Sequence, residues 1–170
     1  MAYDVKKILR ASVLIMAVGA ALVVISMILE LVSLLVTEPA AHIISFISTV
    51  YAFLLIPVFV ALYSWAGYRA VKKYDLDVVS AGMVAAFSHI IVGLVNLALG
   101  TVLNILVMSR LVGGMGFGTA EATLAAFFFG EAAGAGGIFL SEICGIGMIL
   151  AGAAINFVIG GLGGLFSFRR

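Results

Sequence analysis

Four stretches of this sequence are each apolar for long enough to cross a lipid bilayer as a helix. A helix needs about 20 apolar residues to span a hydrocarbon core roughly 30 Å thick, and lipid admits only helices or closed barrels. The stretches cover about residues 11–36, 40–66, 78–108 and 138–166. Composition agrees, because 65% of the residues are hydrophobic and only 10% are charged, whereas a soluble domain is about a quarter charged. The sequence therefore predicts an all-α integral membrane protein, a four-transmembrane-helix bundle in which residues 1–170 form a single domain.

The positive charges are distributed unevenly among the segments that flank these stretches. Eight of the nine lie before the first stretch, between the second and the third, or after the fourth; they are Lys6, Lys7, Arg10, Arg69, Lys72, Lys73, Arg169 and Arg170. Four spans place all eight on one side, which the positive-inside rule assigns to the cytoplasm. We expect a multi-pass protein of the cell membrane with cytoplasmic N- and C-termini. Only Arg110 falls on the outer side.

The connections between the spans differ in length and polarity. A tight connector ends at Pro39, which suits the first turn of helix two, and residues 67–77 are expected to form a polar loop. Asp77 at the end of that loop is the expected N-cap of helix three.

The longest connection, residues 111–137, combines several glycines with a short apolar run. Only residues 122–130 lie free of charge between Glu121 and Glu131. That run is too short to span the bilayer. We expect a short interfacial or re-entrant helix here, between helices three and four, with a plain helix on the outer surface as the alternative.

Helix two carries aromatic residues at its cytoplasmic end and a proline in its middle. Tyr63, Trp65, Tyr68 and Tyr74 are expected to form an anchoring belt at the level of the lipid headgroups. Pro57 is expected to kink the helix and to release a backbone carbonyl.

Polar and small residues recur at helical spacing within the spans, so that they share a helix face. The polar intramembrane candidates are Glu30, His42, His89, Asn96, Asn104, Glu142 and Asn156. The glycines expected to pack helices closely are Gly93, Gly100, Gly145, Gly152, Gly160 and Gly164. Serines on helix one, including Ser12 and Ser26, follow the same spacing. Such faces either join helices through close backbone contacts and hydrogen bonds or line a polar path.

The two intramembrane glutamates are the strongest functional candidates, because a central charge costs about 2.5–3.5 kcal/mol to insert. On the predicted topology Glu30, His42, Asn104 and Glu142 lie at similar depth. We expect an outer-leaflet polar cluster of these residues, completed by Arg110. The alternative is that both glutamates face water near the headgroups. His89 lies near mid-bilayer, where it is either a proton relay or a hydrogen-bonded packing residue.

Catalytic and cofactor motifs are missing from the sequence. It contains no H-E-x-x-H, G-x-S-x-G, P-loop or C-x-x-C pattern, so an enzyme and a catalytic residue are disfavoured. No cofactor is expected, because His42 and His89 differ too much in depth to share a haem, and no metal, because ligands do not cluster. The net charge of +1 gives no indication of nucleic-acid binding.

Three functional classes remain open. The first is a non-enzymatic permeation or transport unit for a small ion or proton, expected to be a homo-oligomer because four short-looped helices seldom enclose a substrate path. The second is an accessory or assembly subunit that docks helices of a larger membrane complex. The third, less favoured, is a lipid-interacting enzyme. The lipid bilayer is the one partner common to all three.

Overall fold

The computed structural model describes residues 4–36, 39–114 and 135–168, and within these ranges the chain is all-helical. Its helices are α1 (Val5–Leu35), α2 (Ala40–Tyr74), α3 (Val78–Gly114) and α4 (Ala135–Phe168). Each contains a stretch long and apolar enough to cross a membrane: Val5–Val32, His42–Tyr74, Val78–Leu103 and Ile143–Ser167. The prediction of four long apolar helices is confirmed. The expected interfacial or re-entrant helix falls largely on residues 115–134, which lie outside the described residues.

The end of α2 differs from the sequence prediction. Residues 67–74 were expected in a polar loop, but the helix continues to Tyr74. The physical reason is packing, since Ala66 and Ala70 on these last turns are buried against the other helices. The helix ends at Asp75, which adopts a left-handed conformation with φ 53° and donates its backbone N–H to the carbonyls of Ala70 and Val71.

A three-residue connection, residues 75–77, joins α2 to α3. Asp77 ends it as the predicted N-cap of α3, because its carboxylate accepts a hydrogen bond from the backbone N–H of Ser80 at 3.3 Å. Hydrogen bonding to Ser80 holds the pKa of Asp77 below its ordinary value of 3.8. Pro39 directly precedes α2 rather than lying in its first turn. Helix α2 runs antiparallel to α1 before it and to α3 after it.

The order of the helices around the bundle is not their order in the chain. Helix α1 packs against α2 and α3, and α4 packs against the same two helices, most extensively against α3. The order around the bundle is therefore α1, α2, α4, α3. Helices α2 and α3 also touch each other across the centre, in a smaller contact.

The tightest packing lies at one end of the bundle, where α1 and α3 begin and α2 and α4 end. We call this the core end, and its buried residues are Ile8, Ala11, Ile15, Tyr63, Ala66, Ala70, Leu76, Ala81, Val84 and Ala85. Ser12, which is also fully buried, donates to the carbonyl of Ile8 at 2.9 Å and lies 3.5 Å from that of Val84. The many alanines let the helix backbones approach closely, as in membrane helix packing.

The backbones of α2 and α4 touch directly at the core end. A Cβ on Gly67 would meet the carbonyl oxygen of Gly160 and lie 2.6 Å from its carbonyl carbon. A Cβ on Gly163 would likewise meet the carbonyl of Ser64. No side chain fits between the two helices at these positions. We call this contact of residues 64, 67, 160 and 163 the α2–α4 crossing.

Adding a methyl group at the α2–α4 crossing is expected to destabilise the fold. Gly67→Ala and Gly163→Ala should each lower the free energy of unfolding by about 1–3 kcal/mol, because backbone atoms must move apart. Gly100→Ala and Gly147→Ala are the matched controls, since a Cβ at either position has no heavy atom within 4 Å among residues 4–36, 39–114 and 135–168 as far as they are described. Thermal unfolding in detergent measures the difference, and equal effects at all four positions would contradict the contact.

Loss of the α3 cap is expected to depend on pH. Asp77→Ala should cost about 1 kcal/mol at neutral pH, as removal of an N-cap typically does. Because the folded-state pKa of Asp77 is lowered, its ionised form adds stability above pH 3.8, and that part is lost as the pH falls through the folded value. Asp77→Ser keeps a capping oxygen without this titration. Unfolding measured across acidic pH should therefore show a smaller acid-dependent loss for Asp77→Ser than for the unaltered chain.

Candidate functional site

A cavity of about 410 Å³ lies between all four helices. The cavity begins at Tyr63, which of the core-end residues on α2 lies farthest from the end of that helix. From there the cavity extends away from the core end. Most of its lining is aliphatic, aromatic or glycine. Its polar lining residues are Ser26, Tyr63, His89, Asn96 and Asn156. Three of these five, His89, Asn96 and Asn156, were candidates from the sequence, and the structure brings them to one cavity.

The polar residues form two groups at different depths. Gly152 lies against His89 and Gly160 against Ala85, which places Asn156 close to the level of His89. Tyr63 is at this inner level too, because its ring contacts that of His89 edge-on at a centroid distance of 5.6 Å. Asn96 lies two turns farther along α3, which is about 10 Å at 1.5 Å per residue.

We call Tyr63, His89 and Asn156 the inner group. Aromatic contacts and the absence of a side chain at Gly152 hold its two rings in place. Phe59 stacks on Tyr63 at a centroid distance of 5.9 Å with ring planes 16° apart. On the other side, a Cβ on Gly152 would meet Nε2 of His89 and lie 2.9 Å from its Cε1. Gly152 therefore leaves the space that the imidazole occupies.

Tyr63 was assigned from the sequence to an anchoring belt at the membrane surface, and this assignment is wrong. The residue is 1% exposed and lies eleven residues before the end of α2, inside the bundle. Its hydroxyl is buried without a hydrogen-bond partner in the described part of the protein. The helical spacing of Tyr63 from the close-packed Gly67 is the signal that the sequence offered for its inward position.

The other belt residues remain nearer the surface. Trp65 is 44% exposed, and the guanidinium carbon of Arg69 lies 5.3 Å from its ring centroid. Tyr74 donates to the carbonyl of Arg10 at 3.4 Å and so connects the end of α2 to the start of α1.

Four of the residues that line the cavity are exposed: Ile56 and Val60 on α2, Asn96 on α3 and Ile155 on α4. Ile56 and Ile155 are the most exposed apolar ones, at 63% and 61%. Helix α2 passes Pro57 at this level, and the missing N–H of this proline leaves the carbonyl of Phe53 without its usual helical donor. The exposed part of the cavity lining is therefore mostly apolar.

A second groove, of about 320 Å³, adjoins the cavity and holds Glu30. Ile56 lines both, so this side chain lies between the two spaces. Ser48 and Thr49 on α2 also line the groove. Glu30 is exposed and lies one turn beyond Ser26 on α1, which places a carboxylate beside the outer end of the cavity.

The predicted outer cluster lies mostly outside the described part of the structure. The side chains of Asn104, Arg110 and Glu142 are among the undescribed ones. Glu30 and His42 are both exposed, His42 near the start of α2. The cluster stays a prediction.

The glycines selected from the sequence occupy different environments. Those with a close neighbour lie against Ile149 (Gly93), Leu97 (Gly145), His89 (Gly152), Ala85 (Gly160) and both Ala81 and Val71 (Gly164). Around Gly100, the described part of the protein has no heavy atom within 4 Å of the position of a Cβ. Gly67 at the α2–α4 crossing was not selected, although it lies at helical spacing from Tyr63, Ala70 and other residues of α2.

Metal ligands are not grouped within the described ranges. No three His, Cys, Asp or Glu side chains there lie close enough together to hold a metal ion. The cavity offers neutral hydrogen-bonding groups: an imidazole, a phenol, two amides and one serine hydroxyl. This set can bind neutral polar atoms or exchange protons.

Filling the space beside His89 is expected to disturb the inner group. Gly152→Ala should push the imidazole away from Tyr63 and lower the free energy of unfolding by about 1–3 kcal/mol. His89→Ala in the same chain should remove the clash, so the double variant should lose less stability than the two single losses added together. Gly147→Ala on the same helix is the control. Additive losses in this double-mutant cycle would show that the two residues do not touch.

Comparison of the chain with protein-family models, with curated proteins and with solved structures found no match. The function is therefore argued from the geometry of the cavity and of the groove beside it.

Proposed function

We propose that this chain is a multi-pass integral protein of the cell membrane with both termini in the cytoplasm. Four helices of sufficient length and apolar character support this placement. Exposed apolar side chains along all four helices suit contact with lipid tails. Eight of the nine positive charges flank the core end in the sequence, so the core end is the cytoplasmic end in this proposal.

We further propose that the protein is a non-enzymatic permeation unit for a small ion, and that the ion is a proton. The observation that carries this proposal is that the Glu30 groove and the central cavity are neighbours, with Ile56 lining both. Glu30 and Ser26 share one face of α1, and the inner group follows deeper in the bundle. Glu30 would collect protons at the outer mouth, and His89 would pass them on near mid-bilayer.

The neutral lining of the cavity favours a proton over a metal ion. A desolvated metal cation needs several oxygen ligands, preferably carboxylates or carbonyls. The polar residues of the cavity are uncharged or, for His89, able to gain and lose a proton. A proton moves along such groups and intervening water without a cage of ligands.

The core end closes the proposed path on the cytoplasmic side. Ala66 and Val84 are buried there, and the α2–α4 crossing leaves no gap between two of the helices. A single bundle in this conformation therefore provides an outer half-path. We propose a homo-oligomer as the functional unit, with the remaining path formed between copies.

Proton flux into liposomes tests this proposal. With a potassium gradient and valinomycin, the purified protein should acidify the lumen, and both Glu30→Gln and His89→Phe should slow this by about 100-fold, the typical loss for a positioned proton-transfer group. Asp4→Asn is the matched control, because it replaces a carboxylate by an amide at an exposed site far from the cavity. Folded protein without flux would refute the proposal.

A second candidate function is that of an accessory subunit in a larger membrane complex. The observation that favours it is the space at Gly100 on α3 and Gly147 on α4, where no heavy atom of the described residues lies within 4 Å of a Cβ position. A partner helix could approach these backbones as α4 approaches α2. Mass measurement of the gently extracted assembly distinguishes copies of this chain from other subunits.

A further inference from the structure

The cavity contains a buried polar atom that the protein leaves unsatisfied. Tyr63 is 1% exposed and lines the cavity, and its hydroxyl has no hydrogen-bond partner among the residues that the structure describes. Buried hydroxyl groups are nearly always hydrogen-bonded, because leaving one unpaired costs free energy. A buried phenol beside an open space of about 410 Å³ indicates that the partner is a molecule bound in that space.

The remaining lining restricts the chemistry of such a molecule. The described side chains that line the cavity include no Asp, Glu, Lys or Arg, so a charged ligand would lose its hydration without gaining a counter-charge from them. Phe59, Val92 and Ile159 offer apolar contact around the body of a ligand. Asn156 adds an amide at the inner level. The volume lies within the range of about 300–1,000 Å³ that is usual for small-molecule sites.

The opening of the cavity indicates where the molecule comes from. Three of the four exposed residues that line it are apolar and lie on the neighbouring helices α2 and α4, and two of them, Ile56 and Ile155, are 63% and 61% exposed. In the membrane placement proposed above, these side chains face lipid tails. A ligand therefore enters sideways from the bilayer and must itself dissolve in lipid.

We propose that the cavity binds a neutral lipophilic molecule whose carbonyl oxygen accepts a hydrogen bond from the Tyr63 hydroxyl. Ring ketones and quinones belong to this chemical class. The inference rests on the proposed membrane placement, because the ligand arrives through lipid. It does not rest on proton passage, since binding requires no gradient and no second copy.

The test uses a benzophenone that carries a short alkyl chain, added to the full-length protein in lipid nanodiscs. Its carbonyl is both the hydrogen-bond acceptor and the group that, on irradiation, forms a covalent bond to a nearby C–H. Saturable cross-linking mapped by peptide mass should fall on cavity residues such as Phe59 and Ile159. Cross-links confined to lipid-facing residues outside the cavity would overturn the proposal.

Two substitutions test the assigned contacts. Tyr63→Phe keeps the ring and removes the donor, so half-saturation should require about tenfold more probe, the effect of one hydrogen bond. Tyr51→Phe is its control, because the Tyr51 hydroxyl donates to the carbonyl of Leu22 outside the cavity. Ile155→Trp should obstruct the opening and abolish saturable labelling. Ile143→Trp on the same helix, at a similarly exposed position outside the cavity, should not.

A hydrocarbon competitor separates a carbonyl ligand from a lipid tail that simply fills the space. Diphenylmethane with the same alkyl chain lacks the carbonyl, so it should compete about tenfold more weakly than unlabelled ketone in the unaltered protein and equally well in Tyr63→Phe. Equal competition in both proteins would show that the cavity holds an acyl chain and would overturn the proposal. Because no gradient is applied, a failure of the flux experiment leaves these results interpretable.

Discussion

The direct backbone contact between α2 and α4 is the constraint on which the packing of the core end depends. Because Gly67 and Gly163 have no side chains, the two helices meet there without a spacer. Beyond this contact the cavity begins at Tyr63, and Ile56 on α2 and Ile155 on α4 are among its exposed lining residues. The bundle is thus closely packed at the core end and open in the middle.

The number and positions of the helices could be predicted because the thickness of the bilayer sets a minimum apolar length. The capping role of Asp77 was equally local, and the hydrogen bond from Ser80 confirms it. The position at which α2 ends, in contrast, is not determined by the nearby sequence. Charged residues at 69, 72 and 73 suggest a loop, yet the helix continues because Ala66 and Ala70 pack against other helices. Tertiary contacts override the hydropathy signal there. The connection between α2 and α3 is therefore three residues long and not the longer loop that was expected.

The site was only partly predictable for a related reason. The spacing of polar residues within each helix identified His89 and Asn96 on α3 and Asn156 on α4 as inward-facing candidates, and all three line the cavity. Spacing cannot tell which helices are neighbours, and the order α1, α2, α4, α3 differs from the chain order. Tyr63 was therefore placed at the surface, because its distance from the true end of α2 was unknown. The layer containing Glu142 depends on side chains outside the described residues.

The position of Trp65 gives the protein a built-in optical probe. It is the only tryptophan in the sequence and lies between Ser64 and Gly67, at the α2–α4 crossing but partly exposed. Its indole lies beneath the Arg69 guanidinium, so its emission depends on the polarity and charge around one turn of α2. Any rearrangement that moves Arg69 relative to the ring changes this environment. Tryptophan fluorescence of the unlabelled chain therefore reports on this one turn of α2.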